Sequence, residues 1–216
     1  MADIMAVIGP PILITACGNP RSPWMNADAL GPLVAQWLQG RQPGPAQKVQ
    51  GPENGGEVPC RVEIVNLGMR PAALLDHLPG RQALGVVDAV TGAGFAVGQV
   101  VEVDWFDPRR PQLVHEDVLS THGLSLGAQL ELARQLGMLP ARVRLFGLAV
   151  MGGRVPASGG RASDSTNELP EACSGKGLDA IQPAQIEELV RRIERWCEAE
   201  LGRIKRAERR GQGRTG

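Results

Sequence analysis

The chain has 216 residues, 23 Lys+Arg balanced by 23 Asp+Glu, 43% hydrophobic residues, 3% aromatic residues and no Tyr. Zero net charge gives no long-range field to gather phosphate backbones or anionic lipid, so neither nucleic acid nor a membrane surface is an expected partner. The length suits one domain with an aliphatic core, and the missing Tyr excludes tyrosine chemistry.

Cys17, Cys60, Cys173 and Cys197 show no CxxC spacing and read as reduced thiols. Residues 1–17 loosely mimic a lipoprotein signal. No Lys or Arg precedes Arg21, however, Asp3 sits where a signal needs positive charge, and Pro10 and Pro11 interrupt the apolar run. No apolar stretch approaches the ~20 residues of a membrane span. A cytoplasmic monomer is therefore expected.

In chain order, residues 11–17 form a continuous apolar run that stops at Gly18-Asn19-Pro20, the mark of a buried first strand. Residues 28–39 place Leu30, Leu33, Val34, Trp37 and Leu38 on one side of a helix that Gly40 is expected to close. Residues 40–59 contain nine Gly or Pro and no period, and read as a flexible insertion. A second strand spans 61–67, and a short helix over 71–78 carries Pro71 in its first turn. Residues 83–90 form another buried run, and 97–105 alternate as a half-exposed or edge strand.

A helix over 124–136 aligns Leu126, Leu130, Ala133 and Leu136 ahead of Gly137, and a fifth strand covers 142–150. Residues 151–180 read as loop. The final helix opens at Pro183 and spaces Ile186, Leu189, Val190, Ile193, Cys197, Leu201 and Ile204 helically. Residues 203–216 carry six basic residues against Glu208, a basic tail that reads as a solvated terminus or a docking contact to an acidic partner. The alternation defines a single three-layer α/β domain: a mostly parallel, twisted sheet of about five strands with helices on both faces.

Such sheets bind ligands at the carboxyl ends of their strands. Asp28 falls in the loop after the first strand, Asp88 near the end of a buried strand, and His122 before the helix at Leu124. Asp28 also suits a helix N-cap, and His122 a loop histidine bonded to backbone. Asp88 is the least ordinary of the three, because a carboxylate in an apolar strand costs several kcal/mol unless partnered. Together they form an O,O,N set able to hold a divalent ion with open positions. The G-x-S-x-G, H-E-x-x-H, Walker A and G-x-G-x-x-G patterns are absent. Cys17 reads as core; its pairing with His122 as a nucleophile is the lesser reading.

At these residues the chain resembles the hydrogenase maturation protease family. The resemblance rests on the strand leading to Gly18-Asn19, on Ala27-Asp28-Ala29-Leu30-Gly31, on Val87-Asp88-Ala89, and on Ser120-Thr121-His122-Gly123-Leu124. It implies an endopeptidase that trims the C-terminal extension of a nickel–iron hydrogenase large-subunit precursor. By that resemblance Asp28, Asp88 and His122 are both the nickel ligands and the catalytic set, and the nickel arrives with the precursor. Ala27 stands where the family has the first acid of a pair, which motivates an alternative, a non-catalytic assembly chaperone of the same fold. A flavodoxin-like cofactor binder follows from fold alone.

Overall fold

The computed structural model describes residues 10–18, 29–41, 61–90, 95–108, 126–150 and 181–212. Five strands form one sheet: β1 (Ile12–Cys17), β2 (Val62–Gly68), β3 (Ala83–Val90), β4 (Val100–Asp104) and β5 (Arg142–Ala149), in the order β2-β1-β3-β5-β4. The first four in that order run parallel, and β4 closes one edge antiparallel to β5. The continuous apolar runs became interior strands. All six residues of β1 are buried, as are the first five of β3, because both faces of these strands are covered by helices.

The helices are α1 (Leu30–Arg41), α2 (Leu74–His77), α3 (Leu126–Gln135) and α4 (Pro183–Gln212). On one face, α1 and α4 pack Leu30, Val34, Leu38, Leu189, Val190 and Ile193 against Ile12, Ile14, Val87, Phe146 and Leu148. On the other, α2 and α3 contribute Leu74, Leu130 and Ala133 to a cluster with Leu13, Cys17, Leu84 and Val86. The three expected layers are present, and the domain is single.

Helix boundaries depart from the sequence reading where tertiary contacts intervene. α1 runs through Gly40 to Arg41, whose guanidinium lies 5.6 Å from the Trp37 ring centroid and pairs with Glu187 and Glu194 of α4 at 3.8 and 3.6 Å. These contacts hold a turn that glycine alone would let fray. The expected helix over 71–78 divides into a 3-10 turn at Pro71–Ala73 followed by α2. α3 stops at Gln135, with Gly137 at φ 68°, and this leaves Leu136 58% exposed instead of in the apolar row. The insertion at 40–59, beyond Arg41, and the loop at 151–180 lie outside the described residues.

α4 is the largest departure. It continues through residues read as a basic tail, to Gln212, and at ~1.5 Å per residue its 30 residues make a rod about 45 Å long. Trp196, absent from the predicted apolar row, is buried on this helix and meets Phe146 edge-on at 5.6 Å between centroids. Gly85 makes room for the pair, since a Cβ there would come 2.5 Å from Ile14 Cδ1 and 3.2 Å from Trp196. Near its middle α4 buries Glu200, which accepts from Arg142 Nε at 3.3 Å and from Nη2 at 3.1 Å. At the sheet edge the Gln39 side-chain amide of α1 donates to the Ile64 carbonyl of β2 at 3.3 Å.

Candidate active site

β1 leads through α1 to β2 on one side, and β2 leads through α2 to β3 on the other side of β1. The strand order therefore reverses at β1, and the crevice at the carboxyl ends of β1 and β3 is the switch point where α/β folds bind ligands. Asp88 stands there. It is the sixth residue of β3, one past the Val87 that pairs with Ala16 of β1, and opposite Gly147 of β5. The strand alternates so that Asp88 shares the face of Leu84 and Val86, the face on which Cys17 ends β1. Asp88 is half-buried, and its Oδ1 accepts the Ala89 backbone N–H at 2.8 Å. A carboxylate emerging at a strand end thus keeps a hydrogen bond while escaping the full desolvation of the strand interior.

The neighbouring thiol, Cys17, is buried. Burial pushes Cys17 up to about 12, and the nearby Asp88 charge adds to the rise, so the group is a protonated core thiol. Its burial agrees with assigning Cys17 to the core.

Two glycines that the sequence reading left without a role shape this end of the sheet. Gly31, in the first turn of α1, sits on the end of β1; a Cβ there would run into the Cys17 carbonyl oxygen and lie 3.0 Å from the Cys17 carbonyl carbon. α1 therefore starts directly against the strand end, two residues after Asp28 in the chain. A side chain on Gly147 would lie 2.7 Å from the Asp88 carbonyl oxygen. A Gly-Pro pair opening an otherwise apolar helix was the available signal for Gly31, because glycine lowers helix propensity and needs a reason there.

A groove of about 410 Å³ opens beside the same helix start, lined by Ala29, Pro32, Leu33, Gln36, Gln39 and Asn66 among others. It lies on the α1 side of β2 and does not reach Asp88. Asp28 and His122 fall outside the described residues, as does the Gly-rich segment 91–94, so of the expected triad the description covers Asp88 alone. Among the described residues no three His, Cys, Asp or Glu side chains cluster as metal ligands, and no helix is long and apolar enough to cross a membrane.

Residues 48–154 match the family model HycI, hydrogenase maturation protease. That span contains Asp88 and His122; Asp28 precedes it. Residues 48–154 thus match a hydrogenase maturation protease domain, the family that the chain's motifs indicate. Among solved structures it is similar to the hydrogenase maturating endopeptidase HybD from E. coli, with 21% identity and a TM-score of 0.51 over 91% of this chain and 93% of that one. It also superposes on the NiFe hydrogenase maturation protease HybD from Thermococcus kodakarensis, with 15% identity and a TM-score of 0.47 over 86% and 98% of the two chains. The first of these supports the α/β fold. No curated protein matches the chain.

Proposed function

We propose that this chain is an endopeptidase that removes the C-terminal extension of a nickel–iron hydrogenase large-subunit precursor after nickel insertion. The observation that carries the reading is a carboxylate, Asp88, at the carboxyl end of β3 beside the switch point, on a strand otherwise built of core residues. Asp28 and His122 precede the two helices, α1 and α3, that follow β1 and β4 in the chain. Two carboxylates and an imidazole suit a divalent ion and leave positions for the groups that carry it.

In this reading Asp28, Asp88 and His122 grip nickel that is part of the substrate, and the chain needs no metal of its own. A divalent ion held there polarises the scissile carbonyl and stabilises the charge that develops on it. A buried Cys17 suits a core role over that of a nucleophile, and the groove beside Ala29 offers space for the extension on the α1 side. The missing first acid at Ala27 favours the chaperone as the rival outcome.

Intact-mass analysis of precursor incubated with the chain decides between them. Loss of the extension from nickel-loaded precursor only, and its abolition by His122→Ala or Asp88→Ala, is expected. Equal cleavage of nickel-free precursor, or unchanged cleavage by His122→Ala, would overturn the proposal. A stable complex without mass loss would establish the chaperone instead.

A further inference from the structure

From Lys205 to Gly211 α4 buries no side chain and carries most of the local charge. Ile204, 6% exposed, is the final core anchor of the helix, and every residue from Lys205 to Gly211 is exposed. At 100° per residue, Lys205, Arg206, Arg209 and Arg210 fall within one 140° arc, whereas Ile204, Ala207, Glu208 and Gly211 take the opposite side. Glu208 reaches back to Arg61 at 3.6 Å, which fixes that opposite side toward the sheet. The four cations therefore face outward, and none has a carboxylate partner among the described residues.

Pairs of like charge at i,i+4, here Lys205 with Arg209 and Arg206 with Arg210, destabilise an isolated helix, and the negative end of the helix dipole opposes that. The arc has no apolar residue to insert into lipid, and exposed Glu198 stands on the same side two turns earlier, which limits the patch to a short positive segment. A short patch on a neutral chain acts within about a Debye length of ~8 Å, so it suits a local acidic surface more than the continuous charge of a duplex.

We infer that Lys205, Arg206, Arg209 and Arg210 form a docking face for an acidic polypeptide surface on a protein partner. It lies at the end of the sheet opposite the candidate active site, because α4 runs from Gln185 beside Gly98, near the end of β5, to Glu208 beside Arg61 at the start of β2. Docking there and chemistry at Asp88 are thus separable, and the docking face stands or falls independently of cleavage.

Fluorescence anisotropy of labelled decaglutamate with the full chain at about 150 mM salt tests it. Binding that weakens with added salt, and about tenfold in the fourfold variant Lys205→Gln, Arg206→Gln, Arg209→Gln, Arg210→Gln, is expected. Circular dichroism checks that the helix survives. Should the fourfold variant lose helix, Arg209→Gln with Arg210→Gln is expected to give an intermediate loss. Equal affinity in folded variants, no binding by the original chain, or tighter binding to duplex DNA or phosphatidylserine vesicles than to decaglutamate would overturn the inference.

Discussion

Two glycines in one helix make opposite predictions for the same substitution. Gly31→Ala puts a methyl group against the Cys17 backbone, 3.0 Å from both its carbonyl carbon and its nitrogen and inside contact with its oxygen. These atoms belong to a central strand, so no rotamer change relieves the overlap and α1 must withdraw from β1. Overpacking of this kind costs about 1–3 kcal/mol, and the gain in helix propensity returns at most about 1 kcal/mol. Gly40→Ala meets nothing within 4 Å and keeps a helical conformation, so it should stabilise by about 0.5–1 kcal/mol. With a urea m-value of about 2 kcal/mol/M, the midpoints of the two variants should separate by roughly 1 M, Gly31→Ala below. A midpoint for Gly31→Ala at or above that of Gly40→Ala would refute the close approach of α1 to β1.

Three further outcomes are expected. Arg142→Ala strands the buried Glu200 carboxylate and should cost about 3 kcal/mol, read as a lower urea midpoint; an unchanged midpoint would mean that Arg203, 3.8 Å away, compensates fully. Cys17 and Cys197, both pushed by burial from 9.0 up to about 12, should resist a thiol reagent at pH 8 until the chain unfolds. Their folded values lie above the unfolded ones, so the stability they contribute is complete below pH 9 and is lost as pH rises toward about 12, measurable as urea midpoints across that window. Asp88→Asn keeps an acceptor for the Ala89 N–H and should shift stability by less than about 1 kcal/mol while abolishing cleavage of nickel-loaded precursor; retained cleavage would remove Asp88 from the site.

What could be read from the chain was whatever depends on local periodicity. Residues 83–90 became β3 with the same boundaries, because a strand buried on both faces has no choice of register. Gly137 stopped α3 for the expected backbone reason. Missed were the features that depend on a partner distant in sequence. Arg41 extends α1 because Glu187 and Glu194 wait on α4, and Trp196 is buried because Gly85 and Phe146 leave a slot for it. At the candidate site, Asp88 was legible as a carboxylate that an apolar strand would not hold without cause. Gly31 was legible only as a glycine that a helix start does not favour, and its contact with the end of β1 exists only in the folded chain.

The Gln39 amide on the Ile64 carbonyl has a consequence for the chain's behaviour among its own copies. β2 is an outer strand of the sheet, and a bare outer strand is a template on which a second molecule can add its own strand and begin to aggregate. A side chain from the covering helix occupies one of the outward carbonyls, and on the other border β4 is only five residues long, with Glu102 and Asp104 paired to Arg144. Both borders of the sheet are thereby blunted against self-association, by one amide on one side and by brevity and charge on the other.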